Sequence, residues 1–172
     1  MKAMSNDKER AEAIKKMGEL IKDIKFGMLT TVDEDGSLRS RPMATQQVEF
    51  DGDLWFFTNA SAPKVDEVEH DRHVNVSFAA PEKQRYVSVS GTARLVRDRK
   101  KAEQLWNPFY KAWFPKGLDD PDLALLKVHV GKAEYWDSSS SAVVHLVGFV
   151  KAVATGTPYQ PGENEKINLE SQ

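Results

Sequence analysis

Apolar residues recur at helical spacing near the start of the chain and at strand spacing over most of the remaining sequence. Residues 6–24 are predicted to form an amphipathic helix, because apolar side chains return every three or four positions there: Ala11, Ile14, Met17, Ile21 and Ile24. Short apolar runs then alternate with turns rich in Asp and Gly, a pattern typical of antiparallel strands. We expect six strands, at residues 27–32, 37–48, 54–57, 74–80, 86–96 and 123–137.

Helices and a tail are predicted for the other segments. A short helix is expected over residues 62–70, and a second helix should begin at Asp98 and be shortened by Pro108. The aromatic residues after Asp98 are typical of core or of an oligomer interface, with no direct ligand role expected for Trp106 or Trp113. Residues 138–172 are predicted as a helix ending at Gly156 and an extended arm.

The stretch from Arg41 to Lys64 joins a strand, a turn, a strand and a helix start. Asp51-Gly52 predicts a hairpin turn, and the strand 54–57 is apolar on both faces, which is typical of a central strand. Alternation places five residues on one face of the preceding strand, Arg39, Arg41, Met43, Thr45 and Gln47, and three on the other, Leu38, Ala44 and Val48. The arginines are therefore expected to face away from the more apolar side.

A lysine at a predicted helix start is the first indication of a binding site. Ser61 is predicted as the N-cap and Pro63 as part of the first turn, so that Lys64 takes the third helical position, where the helix dipole disfavours positive charge. One explanation is an anion held by the first-turn N–H groups, Lys64 and Arg41. The other is that Asp66 and Glu67 neutralise the lysine, and the local pattern leaves both open.

Composition narrows the function further. The chain has 172 residues, 40% hydrophobic and 29% charged, with a formal net charge of -2, so we expect one globular domain over residues 1–172 with no nucleic-acid partner. Cysteine is absent, which excludes thiolate chemistry, and no metal site is expected around the histidines. No apolar run is long enough to span a bilayer, and we expect a cytoplasmic protein. The sequence contains no GxSxG, Walker A or GxGxxG motif.

Four fragments, in this order and spacing, carry a family resemblance: GMLTTVDEDGSLRSRPM, DGDLWFFTNASAPKVDEV, RYVSVSGTARLVRD, and WFPKG followed by DPDLALLKVHVGKAEYWD. With them the chain resembles the pyridoxamine 5′-phosphate oxidase-like superfamily of FMN-binding split barrels, and within it the general stress protein 26 branch. The resemblance implies a mainly β fold, a six-stranded antiparallel split barrel with Greek-key character and flanking helices. It also implies a homodimer with flavin between the subunits.

The same resemblance implies a cofactor site. Arg41, Thr58, Ser61 and Lys64 match the phosphate-binding positions, while Pro42, Met43, Phe57 and Asn59 would border the flavin. Trp136 matches a tryptophan that lies near the flavin of the partner subunit, with a place in the core as its alternative. The implied cofactor is FMN, with FAD as an alternative.

The chain departs from the true oxidases where they hold their substrate. No arginine follows Arg99, Tyr86 replaces a glutamine, and residues 142–146 read Ala-Val-Val-His-Leu where the oxidases carry a phosphate-binding Arg-Leu-His-Asp-Arg motif. We therefore expect the flavin to be retained and the vitamin phosphate site to be lost. Two functions stay open: a flavin-dependent oxidoreductase with an unknown small-molecule electron donor or acceptor, or a non-catalytic protein that stores or senses flavin. No catalytic residue is apparent.

Overall fold

The computed structural model describes residues 2–46, 48–138, 142–159 and 162–170, with only the backbone described at 2–6 and 142–148. Its helices and strands, in chain order, are α1 (Lys2–Ile21), β1 (Phe26–Val32), β2 (Leu38–Ala44), β3 (Asp53–Asn59), α2 (Pro63–His70), β4 (His73–Ala80), β5 (Arg85–Val96), α3 (Arg99–Leu105), β6 (Leu123–Asp137), α4 (Ala142–Thr155) and β7 (Glu163–Asn168). Three 3₁₀ turns lie at Pro81–Lys83, Pro108–Ala112 and Gly117–Asp119.

The strands form one antiparallel sheet that curls into a half-barrel with flanking helices, so the predicted fold class is confirmed. The order is β2-β1-β4-β5-β6-β3, and β7 adds to β6. The long strand β6 pairs with β3 through its first half and with β7 through its second half. Within the described residues the sheet thus has seven strands where six were expected.

The seventh strand corrects the prediction of an extended arm after Pro158. Alternation is weak in the segment Glu163–Asn168, which is mostly polar, so its sequence alone does not indicate a strand. Backbone pairing with β6 forms it, and the two expected anchors are confirmed: Leu169 is 1% exposed and Ile167 packs against the core. The tail is therefore part of the sheet.

The hairpin predicted at Asp51-Gly52 is wrong. Gly52 does adopt a positive φ of +109°, but β2 pairs with β1, and β3 pairs with β6, where Leu54 lies opposite Val128. Strand β3 consequently ends the main path of the sheet instead of occupying its centre. Its two apolar faces are nevertheless covered, since Phe56 enters the main core and Phe57 enters a second, aromatic cluster.

The expected orientation of β2 is also wrong. Met43 is buried in the main core, and Arg41 shares its face of the strand, whereas Leu38 is 71% exposed on the opposite face. The arginines therefore lie on the inner side of the sheet, where α2 covers it. The sequence pattern suggested the opposite orientation because the covered face of this short strand carries two arginines and therefore looks polar. Gln47 lies outside the described residues.

Several local predictions hold. Strand β6 has the predicted bounds, the bulge expected at Gly91 appears as a register shift between Ser90 and Gly91, and Asp98 accepts a hydrogen bond from the N–H of Lys101 at 3.0 Å. Helix α3 ends before Pro108, as expected. Helix α1 begins and ends a few residues earlier than the predicted 6–24, although Ile24 still packs in the core.

Candidate functional site

A buried ion-pair cluster joins α2 to the inner face of β1 and β2. Glu67 of α2 is only 5% exposed and accepts hydrogen bonds from Arg41 Nη2 at 2.6 Å, from Arg39 Nη1 at 2.9 Å, and from the hydroxyl of Thr31. Arg41 Nη1 also donates to Thr31 Oγ1 at 2.5 Å. Burial of Glu67 is thus compensated by three donors, two of which carry a charge.

The charge state of Glu67 follows from these contacts. Burial by itself would raise the pKa of its carboxyl, but the hydrogen bonds from Thr31 and Arg41 and the charges of Arg41 and Arg39 outweigh burial and lower that pKa. Glu67 is therefore ionised at neutral pH. The two arginines face two carboxylates, because Arg39 Nη1 also lies 3.7 Å from Asp33 Oδ2.

Lys64 adds a further cation beside Arg41. Its side chain is half-buried, and among the described residues no hydrogen bond or ion pair involves its ammonium group. Burial lowers the pKa of Lys64, the positive charge of Arg41 lowers it further, and Glu67 opposes the shift. Among the described residues neither Asp66 nor Glu67 forms an ion pair with Lys64, since Asp66 is exposed and Glu67 is bound to the arginines, and Glu67 acts on Lys64 through its charge alone. An anion placed between Lys64 and Arg41 would stabilise both cations.

The start of α2 differs from the prediction. Ala62, not Ser61, is the N-cap residue and makes no side-chain cap, so Lys64 takes the second helical position. Ser61 binds Asp122 instead, through its N–H at 3.1 Å and its hydroxyl at 2.6 Å. Asp122 is distant in sequence, so the local pattern around Ser61 cannot reveal this contact. Pro63 lies in the first turn, as predicted, and takes its first position.

An apolar groove opens next to Lys64. Its ten lining residues are Phe26, Pro42, Met43, Ala44, Gln46, Phe57, Lys64, Tyr110, Trp113 and Phe114, and the space between them, including the part open to solvent, is about 590 Å³. Strands β2 and β3 form one wall, and the aromatic segment after α3 forms the other. A planar apolar ring that carries an anionic group fits such a lining.

The aromatic wall is built by ring contacts around Phe57. Trp106 meets its ring edge-on at 5.4 Å between centroids, and Tyr110 packs at 5.3 Å. The Tyr110 hydroxyl donates to Gln46 Oε1 at 3.1 Å, while Gln46 Nε2 is buried without a partner among the described residues. Burial raises the pKa of Tyr110 more than this hydrogen bond lowers it. The groove therefore offers one free amide donor and neutral aromatic surfaces.

Sequence reasoning missed Trp113, for which no ligand role was expected. Trp113 lines the groove and contacts Phe26 edge-on at 6.4 Å. Trp106 lies in the aromatic cluster and does not line the groove. Trp113 belongs to the WFPKG fragment, which carries part of the family resemblance and could have indicated that this tryptophan lies near the site.

The structure brings together some of the predicted site residues and separates others. Pro42, Met43, Phe57 and Lys64 line the groove, and Arg41 lies close enough to Lys64 to shift its pKa. Thr58 is 1% exposed, and its hydroxyl donates to the carbonyl of the half-buried Asn59 at 3.2 Å. Both lie at the end of β3 and outside the groove lining.

Trp136 lies elsewhere on the same chain. It is 40% exposed on β6, opposite Tyr86 of β5, and it is not part of the groove lining. A place in the core is therefore wrong for Trp136. Contact with a flavin would require a second subunit.

Two histidines form surface pairs in the part of the chain that the structure describes. His73 pairs with Asp71 and His129 with Asp53, both at 2.8 Å. No group of three or more metal-ligating side chains occurs among the described residues, and in the same ranges no helix is long and apolar enough to cross a membrane. The side chain of His145 lies outside them.

Comparison with known proteins identifies the family. Residues 12–160 match the family described as pyridoxamine 5′-phosphate oxidase like. The chain belongs to this family. The resemblance seen in the sequence fragments is thereby confirmed.

Individual relatives agree with the family assignment. The chain is 37% identical over 144 residues to the protein bli-3 of Neurospora crassa, covering 78% of this chain and 69% of that protein. A general stress FMN/FAD binding protein of Xanthomonas citri is 31% identical, with a TM-score of 0.64, covering 76% of this chain and 92% of the other. A general stress protein 26 from Jannaschia sp. CCS1 shares the fold, with a TM-score of 0.73, 24% identity, and coverage of 92% and 99%.

Proposed function

We propose that this pyridoxamine 5′-phosphate oxidase-like protein binds FMN, with the phosphate between Lys64 and Arg41 and the ring system in the adjacent groove. The single observation that carries the proposal is Lys64, a half-buried cation without a described partner, next to a second cation at the mouth of an aromatic groove. A phosphate would offset the cost of placing two like charges close together. The relative from Xanthomonas citri, an FMN/FAD binding protein by name, supports the choice of cofactor.

The chain's own residues would bind and orient the ring. Pro42, Met43 and Phe57 supply one apolar wall, Trp113 supplies the other, and the unpaired Gln46 amide offers a donor to a polar ring edge. Exclusion of water by these walls would strengthen the ionic contacts at Lys64. The flavin, when bound, supplies the capacity to accept and release electrons.

A homodimer is part of the proposal, and the outer face of the sheet supports it. The β-ladder registers place Phe26 beside Ala44 and Tyr86 between Ala79 and Trp136, and continuing the β1–β4 register by one residue joins the two groups into one row across that face. Phe26 is 51% exposed, Tyr86 45% and Trp136 40%, so the row is an exposed aromatic surface that begins at the groove. A second copy on this face would cover the groove and bring its own Trp136 towards it.

Titration with FMN tests the proposal directly. We expect purified protein to bind FMN with quenched flavin fluorescence and a raised melting temperature, and to bind riboflavin, which lacks the phosphate, more weakly. A melting temperature and fluorescence that do not change at saturating FMN would contradict the proposal. Comparison with FAD decides which flavin is preferred.

An oxidoreductase role is proposed ahead of flavin storage. In its described lining, the groove holds no carboxylate or histidine, so any hydride or electron transfer would depend on the flavin and on a substrate that stacks against Trp113. Steady oxidation of NADH or NADPH by the loaded protein would support the oxidoreductase. Tight flavin binding without turnover with any reductant tested would favour storage or sensing.

Oxidation of pyridoxamine 5′-phosphate is not proposed for this chain. Two other cations could hold a substrate phosphate, Arg85 and Lys132. Arg85 is 18% exposed and already donates to Asp137 Oδ2 at 3.1 Å, whereas Lys132 is exposed on β6. The side chains of residues 143, 144 and 146 lie outside the described part of the structure. We expect little pyridoxal phosphate formation at saturating FMN and oxygen, and turnover near that of a dedicated oxidase would contradict this expectation.

A further inference from the structure

A buried hydroxyl lies behind Arg41. Thr31 of β1 is 0% exposed and neighbours Leu29 on the inner face, where apolar side chains predominate. It lies opposite Arg39 in the β1–β2 ladder, two positions along from the pair formed by Leu29 and Arg41. A polar side chain at such a position requires partners, and here both partners belong to the ion-pair cluster of Glu67, Arg39 and Arg41.

The hydrogen bonds of Thr31 form a closed ring with Arg41 and Glu67. Its oxygen accepts a hydrogen bond from Arg41 Nη1 at 2.5 Å, its hydroxyl donates to Glu67 Oε2, and the same carboxylate oxygen accepts from Arg41 Nη2 at 2.6 Å. The guanidinium is thus bound at two nitrogens by two different side chains, which defines the direction of its plane. A single ion pair with Glu67 would leave the guanidinium free to rotate about that contact.

The conformation of Thr31 is restricted. Its branched β-carbon restricts χ1, and its backbone is paired with Arg39 of β2 in the sheet. Only two of the five N–H donors of Arg41 are used in the ring, so the guanidinium keeps donors for an outside acceptor. Lys64 lies close enough to Arg41 for their charges to interact, so an acceptor between the two would find a second cation.

We propose that Thr31 is a positioning residue that, together with Glu67, orients Arg41 towards the phosphate group of the ligand without touching the ligand itself. This inference rests on the proposed function. It differs from a purely structural role in what it predicts: a structural hydroxyl would stabilise the fold and affect phosphorylated and unphosphorylated ligands equally. A positioning hydroxyl acts on the phosphate alone.

The test compares FMN and riboflavin binding in a matched pair of variants. Thr31→Val replaces the hydroxyl by a methyl group of similar size and changes no charge, whereas Thr31→Ser keeps the hydroxyl. We expect Thr31→Val to reduce the ratio of FMN to riboflavin affinity by about tenfold, the change expected from losing one hydrogen bond to a charged group. We expect Thr31→Ser to keep the ratio within about twofold of wild type, because the hydrogen bonds remain.

Fluorescence titration of each purified protein gives both affinities. If Thr31→Val does not fold, Thr31→Ala provides the same loss of the hydroxyl without a new methyl group. An unchanged ratio in a folded variant without the hydroxyl, with lowered stability alone, would overturn the inference while leaving FMN binding intact. A wild-type protein that binds neither flavin, or binds both equally, would overturn the proposed phosphate site and this inference together.

Discussion

Lys64 and Arg41 are adjacent cations, but they differ in what their removal would do. Arg41 is a partner of the buried Glu67, so Arg41→Ala would leave a carboxylate poorly compensated and destabilise the fold. Lys64 has no described ion pair, so its substitution tests the ligand contact with less disturbance. Lys64 is therefore the better position at which to test the ligand contact.

We expect Lys64→Ala to weaken FMN binding by about 2–4 kcal/mol, because a partly buried charge loses its partner. The free energy of riboflavin binding should differ from that of wild type by no more than a few tenths of a kcal/mol. The measurement is fluorescence titration with both flavins, and Lys15→Ala, which removes an exposed lysine from α1, is the control. Equal weakening of the two flavins would show that Lys64 does not contact a phosphate.

The carboxyl of Glu67 makes stability depend on pH. Its pKa in the folded protein is lowered from an ordinary value of 4.5, so the stabilisation it provides is complete above that value and is lost as the pH falls through the lower folded value. We expect Glu67→Gln to cost roughly 2–4 kcal/mol at pH 7 and much less in acid, where wild-type Glu67 is itself protonated.

Urea unfolding of wild type and Glu67→Gln at pH 7, 5 and 3 measures the difference between them. Glu69→Gln is the matched control, since Glu69 is exposed on the same helix and should show little difference at any of these pH values. A cost of Glu67→Gln that is the same at pH 7 and pH 3 would contradict the charged cluster.

At the scale of elements, β7 shows how a polar segment becomes part of the fold. Its six residues pair with β6 from Asp137 to Lys132, and the apolar side chain of Leu169 comes immediately after them and enters the main core. The pairing satisfies backbone groups on the edge of β6 that β3 does not reach. A strand can therefore form here without an alternating sequence.

We expect Leu169→Ala to destabilise the protein by about 2–4 kcal/mol, because Leu169 is 1% exposed and its loss leaves a cavity. Val153→Ala on α4 removes a side chain that is 70% exposed and should change stability by less than about 0.5 kcal/mol. Thermal or urea unfolding compares the two variants. A Leu169→Ala protein as stable as wild type would mean that the C-terminal segment does not belong to the cooperative fold.

At the scale of the molecule, the proposed dimer depends on the outer face of the sheet. Ser77 is exposed at the centre of this face, between Met28 of β1 and Ser88 of β5. We expect Ser77→Arg to dissociate the dimer and to weaken FMN binding, because an arginine there would place charge within the interface. Gln104→Arg adds the same charge to exposed surface on α3 and should leave both properties unchanged.

Analytical ultracentrifugation at micromolar concentration, with and without FMN, checks the assembly. Wild-type protein that sediments as a monomer while binding FMN tightly would contradict a site between subunits. Loss of the dimer in Ser77→Arg with unchanged FMN affinity would show that each subunit binds flavin alone.

The local sequence pattern was sufficient to predict the structure wherever residues close in sequence determine it. The bounds of β6, the cap at Asp98, the end of α3 before Pro108 and the bulge at Gly91 all depend on alternation, capping or the space for a Cβ atom. The family and the candidate residues Pro42, Met43, Phe57 and Lys64 also followed from the sequence, because the motif fragments keep their order and spacing.

Tertiary structure alone decided which partners the polar groups and strand edges take. Strand β3 pairs with β6 across about seventy residues of chain, Ser61 binds Asp122 instead of capping α2, and Glu67 binds Arg41 instead of Lys64. These pairings depend on burial and on donors that are distant in sequence, and a short stretch of sequence reveals neither. The charge that remains on Lys64, and with it the proposed anion site, is a consequence of those long-range pairings.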